Sequence, residues 1–367
     1  MKACRVAVVG AGLAGLYVAR ALHASGVDVA VVEARNRLGG RILTANESGK
    51  PTDDGFDLGP SWYWPQMQPA MDTLVGELGL HSFPQNGEGD VMFERMSREK
   101  PQRYMPAMQE QSSMRLSGGT AAAVRALAGD IPADRILVDA KVTAIALSDA
   151  GTELTLERSD GQVDLLRSEQ VVAALPPRLL EATVTFSPEQ DPATAARWRD
   201  TPTWMAPHAK FFAIYDEPFW RAAGLSGTAQ SMVGPLMEIH DATTASGKAA
   251  LFGFLGVGAD QRATLGEEML KQACLAQLAK LFGSDALKPQ SVLFKDWAAD
   301  PLTATVADRV SGGHPMPGRS LWVSGAWKGR LWLAGSETSP AEPGYLAGAV
   351  IAAGRAVANI LSNMDLK

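Results

Sequence analysis

The 367-residue chain is poor in several things that would direct its reading elsewhere. It has only two cysteines, Cys4 and Cys274, which leaves no disulfide framework and no four-thiolate metal site. Its 34 Lys+Arg stand against 40 Asp+Glu, for a net charge of −6, and the cations are scattered. The basic patch that a nucleic acid requires is therefore absent. No stretch reaches the roughly 18 to 20 consecutive apolar residues of a bilayer span; the best, Tyr345 to Leu361, is interrupted by Gly348, Gly354, Arg355 and Asn359. The apolar N-terminus, MKACRVAVVGAGLAGL, has no small-residue cleavage site ahead of polar sequence. No G-x-S-x-G elbow occurs, and His23, His81, His208, His240 and His314 show no metal-ligand spacing. These absences predict a cytoplasmic protein, monomer or homodimer, with no nucleic-acid partner, membrane anchor or bound metal. At 46% hydrophobic and 20% charged, the chain can bury one large or two medium cores.

What is present begins at the N-terminus. Arg5 to Val9 is a short β-branched run that stops at Gly10, and an Ala/Leu-rich helical pattern follows from Leu13 to Ala24. A second apolar run, Val27 to Val32, ends at Glu33, completing a βαβ unit. Further on, Ala70 to Gly79 and the stretch after Ser117-Gly118-Gly119-Thr120 read as helices. Ile136 to Leu147, Glu153 to Arg158 and Gln162 to Leu166 alternate as antiparallel strands, with Gln170 to Leu175 a separate buried strand. A second alternating region spans Lys210 to Tyr215, Ser231 to His240 and Ala249 to Gly256, followed by one amphipathic helix from Leu265 to Phe282. The chain closes on a strand, Leu331 to Ala334, and a small-residue helix, Tyr345 to Leu361.

Gly10-Ala11-Gly12-Leu13-Ala14-Gly15 is G-x-G-x-x-G placed after a strand and opening a helix, the setting of a dinucleotide fold. Gly10 permits the turn, Gly12 lets backbone N–H groups approach a pyrophosphate, and Gly15 allows close helix packing. The Glu33 carboxylate accepts from ribose hydroxyls and repels a 2′-phosphate, which disfavours NADP. The continuation Glu33-Ala34-Arg35, with Arg41 after Gly39-Gly40, suits a larger dinucleotide extended across the sheet edge.

With this E-A-R-x-R-x-G-G-R element the sequence resembles the flavin-containing amine oxidase family. The likeness recurs at Phe56-Asp57-Leu58-Gly59-Pro60, at Leu116-Ser117-Gly118-Gly119, at Val142, at Ala174-Leu175-Pro176-Pro177, at Trp297, and at Leu333-Ala334-Gly335-Ser336-Glu337-Thr338 followed by Pro343-Gly344-Tyr345 and Gly348-Ala349. It implies an α/β fold, a Rossmann-like FAD-binding domain with an inserted α+β substrate domain. The discontinuous FAD domain would take 1–66, 114–186 and 298–367, and the substrate domain 67–113 and 187–297. It also implies that Gly10, Gly12, Leu13, Ala14, Gly15, Glu33, Ala34, Arg35, Gly39, Gly40, Arg41, Leu58, Gly59, Pro60, Ser61, Val142, Trp297, Gly335, Ser336, Glu337, Tyr345 and Leu346 hold FAD, with Glu337 at the ribityl chain, and that Lys210 holds a water against flavin N5. From the residues alone, Lys210 also reads as an edge-strand lysine facing solvent.

Tyr345 matches one of two aromatics that form a cage for the substrate amine. The partner tyrosine and the cysteine that tethers the flavin in some relatives would fall near Val306 and Ala307, so the resemblance implies non-covalent FAD and an incomplete cage. Trp62, Tyr63 and Trp64 are the candidates to complete it, and His208 is a candidate lining residue. Only about fifty residues separate Pro65 from Ser117, less than in the family, which predicts a shorter, more open approach. The expected activity is FAD-dependent oxidation of a small-molecule amine with molecular oxygen as acceptor. Alternatives are a renalase-like or desaturase-like flavoenzyme taking NAD(P)H or another CH–NH or CH–CH donor, and a FAD-bound binding protein without catalysis.

Overall fold

A computed structural model describes residues 3–105, 113–310, 313–318 and 321–365. The parts of the predicted domains at 1–2, 106–112, 311–312, 319–320 and 366–367 lie outside the described residues.

Two sheets organise the chain. The first runs in parallel order Ile136–Leu137, Val29–Val32, Ala3–Val9, Val163–Ala173, Leu331–Leu333. Both faces are covered where the strands run parallel, so the stretches Val6 to Val9, Val29 to Val32 and Val171 to Ala173 are apolar throughout. Val6, Val8, Val29 and Val31 pack against the helices Leu13–Ala24, Ala121–Gly129 and Leu346–Asp365, while Ala7, Val9, Ala30 and Val32 pack with Leu180, Trp198 and Trp327. The two strands expected at Gln162 to Leu166 and Gln170 to Leu175 are one long strand, Val163–Ala173. Its first half pairs antiparallel with Gly151–Arg158 and its second half parallel with Ala3–Val9 and Leu331–Leu333. The polar Arg167 to Gln170 lies at the change of partner, which is why it interrupts the pattern without ending the strand.

The second sheet has the order Ser291–Asp296, Ala209–Tyr215, Ala249–Leu255, Leu236–Asp241, Leu225–Ser231, Asp90–Glu94, Gln102–Tyr104. The run expected from Ser231 to His240 is instead the end of one strand and most of the next. The helix expected from Leu265 to Phe282 is Glu267–Phe282; a further helix not expected from the sequence, Ala259–Leu265, precedes it and ends at Gly266 with φ +81°. Leu270, Cys274, Leu278 and Leu281 of the longer helix cover one face of this sheet; the other carries Phe212, Ile214, Phe252 and Leu293 toward Phe56, Leu58 and Trp62.

Two helices from the segments expected on the substrate side pack on the first sheet. Met71, Leu74 and Val75 of the helix Pro69–Glu77 join the core of the first sheet, as does Trp198 of the helix Pro192–Asp200, against Phe186 and Trp327. Short amphipathic helices carry no mark in the sequence of which sheet they cover. The terminal helix contains a stretch, Leu346–Met364, long and apolar enough to cross a bilayer. In the fold Ala347, Val350, Ala353, Ala356 and Ile360 pack on the first helix and sheet.

Candidate active site

The parallel strands all end at one edge, and the turns that follow line a cavity of about 410 Å³ there. This crevice beyond the carboxyl ends of the strands is where open α/β sheets place their ligands. Its nucleotide end is glycine-walled. Gly10 has φ +101°, and a Cβ on Gly15 would come within 1.8 Å of the Gly10 carbonyl oxygen, so the turn and helix meet only if position 15 is glycine. Gly12 is the helix N-cap and no side chain caps the first turn, which leaves those N–H groups facing the cavity for an anion. Gly39 and Gly40, both at positive φ, lie against Gly12. Arg37 secures that loop by donating to the carbonyls of Leu38, Gly40 and Ile42. Glu33 accepts from Ala11 N and Arg35 N, both at 2.8 Å, so its carboxylate is fixed at the end of the second strand. Uncapped helix N–H groups, a close glycine wall and a fixed carboxylate fit the phosphate and ribose groups of a dinucleotide such as FAD.

At the other end stands Lys210. Its strand lies between Ala249–Leu255 and Ser291–Asp296, and the residue is 2% exposed, so the edge-strand reading is excluded. Its Nζ donates to Gly59 O at 2.6 Å, Ser61 Oγ at 2.9 Å and Asp57 O at 3.2 Å, and lies over the Phe252 and Phe254 rings. Burial pushes the ammonium down to about 7, because the charged form loses water that these neutral groups only partly replace. The receiving segment is itself fixed carbonyl by carbonyl: Leu58 O accepts from Trp297 Nε1 and Pro60 O from Thr120 Oγ1. The Asp57 carboxylate accepts from Thr44 and Thr120.

Most of the predicted residues come together. Gly10, Gly12, Leu13, Ala14, Glu33, Ala34, Arg35, Gly39, Gly40, Arg41, Gly59, Pro60, Ser61, Val142, Lys210, Trp297, Gly335, Ser336, Tyr345 and Leu346 all line the cavity. Gly15, Leu58 and Glu337 stand behind the wall. Both oxygens of Glu337 accept from Arg41, at 2.6 and 3.0 Å, so Glu337 orients an arginine that itself lines the cavity. Arg35 is likewise engaged, bidentate on Asp300 and bonded to Thr303.

The cage candidates separate. Tyr63 is buried in the first core, Trp62 lies edge-on to His240, and Trp64 meets Tyr345 edge-on at 6.5 Å. Val306 is 86% exposed and Ala307 is exposed too, so that segment turns away from the cavity. His208 touches Trp204 edge-on but is not a lining residue. Sequence reasoning missed Trp204 and Met205, which line the wall near Gly344 and Tyr345. Their only sequence mark is an aromatic in a proline-bounded turn, Pro202 to Pro207. Neither Cys4 nor Cys274 lines the cavity.

A parallel sheet ending in a glycine-walled crevice, roofed by a second sheet that lowers a buried lysine into it, defines a dinucleotide-dependent oxidoreductase. A family model described as flavin containing amine oxidoreductase matches residues 13–107 and 88–361. Flavin-containing amine oxidase B of Sus scrofa is 26% identical, over 98% of this chain and 86% of its own. An L-amino acid dehydrogenase of Synechocystis is 24% identical, over 95% of this chain and 93% of its own. The structure of cyclohexylamine oxidase from Brevibacterium oxydans superposes with a TM-score of 0.78 at 21% identity, covering 99% of both chains. The chain belongs to the flavin-containing amine oxidase family, an FAD-dependent oxidoreductase.

Proposed function

We propose that this protein oxidises the carbon beside an amine nitrogen and passes the electrons to molecular oxygen. The amine gives an imine, which water hydrolyses to an aldehyde or ketone and ammonia, while oxygen takes two electrons and two protons to become hydrogen peroxide. FAD, when bound, supplies the two-electron acceptor for the substrate. The chain supplies orientation. The first helix turn and Gly39-Gly40 receive the pyrophosphate, Glu33 the ribose, and the other end is closed by Phe254 of the second sheet together with Trp62, Trp64 and Tyr345 from the loops beside it. These walls exclude water and offer aromatic faces to an amine.

The observation that carries the reading is Lys210: a buried ammonium that reaches the cavity wall and titrates near neutrality. Held on Gly59 and Ser61, it places a positive charge where oxygen gains negative charge, without reorganisation.

Anaerobic bleaching of the flavin absorbance tests this, using primary amines, polyamines, amino acids, NADH and NADPH. An amine class is expected to bleach it, with air restoring the colour and releasing peroxide. Lys210→Met is expected to slow that restoration at least about tenfold. Bleaching by nicotinamides alone would overturn amine oxidation, and a wild-type rate of restoration in Lys210→Met would remove the lysine from the oxygen step.

A further inference from the structure

Between Trp204 and Tyr345 lies a third ring. The His314 imidazole stacks on Trp204 at 3.4 Å between centroids with 27° between planes, and on Tyr345 at 4.2 Å and 14°. Its Nδ1 stands 3.1 Å from Pro343 O, so as the Nδ1–H tautomer it donates there. Both faces and one edge of the ring are held.

The slot is built independently of its occupant. Met205 sits in the left-handed region at φ +64°, an uncommon state for a side-chain-bearing residue that turns the chain immediately after Trp204. Arg41, anchored on Glu337, donates to Trp204 O at 3.2 Å. Gly344, at φ +87°, has no Cβ, and one placed there would come within 2.7 Å of Trp204 Cβ, so the indole approaches Tyr345 only over glycine. By contrast His314 rides on a stretch, 313–318, without regular secondary structure. The walls are fixed and the filling is carried on a loop.

We infer that His314 is a specificity-determining residue, filling from within the chain a slot between Trp204 and Tyr345 that recognises a compact nitrogen-bearing head group, so that a substrate amine binds there by displacing the imidazole. Burial lowers the His314 pKa, against the opposing influence of Pro343 O and Glu337. The resident ring is therefore neutral at neutral pH and gains stacking alone. An ammonium in the same place gains cation–π attraction from two faces, which gives the incoming group the advantage. That the displacing group is a substrate amine rests on the proposed function.

The test compares FAD-loaded wild type with His314→Gly. The dissociation constant of the bleaching amine, taken from anaerobic titration, is expected to fall about tenfold in the variant, the worth of two lost stacking contacts. Free imidazole is expected to change tryptophan fluorescence and compete with the amine in His314→Gly, and to do neither in wild type. Unchanged amine affinity together with indifference to imidazole in the variant would overturn the inference. Should no amine bleach either protein, the amine reading fails while the imidazole titration still decides the slot. If His314→Gly does not retain FAD, His314→Ala carries the same comparison.

Discussion

Lys210 concentrates the energetics of the site in one side chain. Its ammonium pKa falls from an ordinary 10.5 to about 7 on folding, so protonating the folded protein costs stability. Below about pH 7 both states hold the proton and the cost is constant. Between about pH 7 and 10.5 the unfolded chain keeps the proton while the folded one releases it, so stability rises with pH by at most about 1.4 kcal/mol per unit. Lys210→Met should abolish that rise. Urea unfolding at pH 7 and pH 9 reads it directly: a wild-type gain no larger than the variant's would mean that folded Lys210 keeps its proton up to pH 9 and that burial does not lower its pKa.

At the scale of elements, the glycines divide into those the fold requires and those it tolerates. Gly15→Ala drives a methyl into the Gly10 carbonyl, 1.8 Å away, and must prise the first helix from the turn that would face the pyrophosphate. FAD affinity should drop at least about a hundredfold, as 3 kcal/mol of backbone displacement would give. Gly76, inside the helix Pro69–Glu77, has open space where a Cβ would stand. Gly76→Ala should therefore stabilise by about 0.5–1 kcal/mol, the helix-propensity difference. FAD titration and thermal unfolding measure the pair; an alanine tolerated at both positions would refute the packing argument. The turn at Gly10-Gly15 was legible because βαβ units require small residues at fixed offsets. The short helix Ala259–Leu265 was not, because it buries only Ala259 and Arg262 and so carries no apolar periodicity.

The whole molecule depends on links between its two sheets. Asp300 accepts two hydrogen bonds from Arg35, which follows the second strand of the dinucleotide sheet, and one from Lys295 on the edge strand of the other. Burial pushes the Asp300 carboxyl up, but the bonds and charges of Arg35 and Lys295 outweigh it and hold the group below its ordinary 3.8. This tie is present above about pH 4 and is lost as pH falls through the lowered folded value. Asp300→Asn should remove that acid-dependent component and cost about 2–4 kcal/mol at pH 7 by leaving two cations under-paired. Unfolding curves between pH 3 and 7 test it; parallel losses in wild type and variant would show that Asp300 does not join the sheets.

The sequence by itself determined the dinucleotide crevice, because its glycines, acidic strand end and arginines act through backbone geometry at fixed spacing. It also marked Lys210, since an ammonium inside an apolar strand requires a reason. Only tertiary structure decided that Lys210 lies on an interior strand and points into the cavity, that Glu337 is committed to Arg41, and that Trp204 and His314, 110 residues apart, share one stack with Tyr345. Such pairings leave no local trace: a ring on a loop has the same sequence neighbours whether it faces water or another ring, and the long-range packing of the two sheets chooses between them.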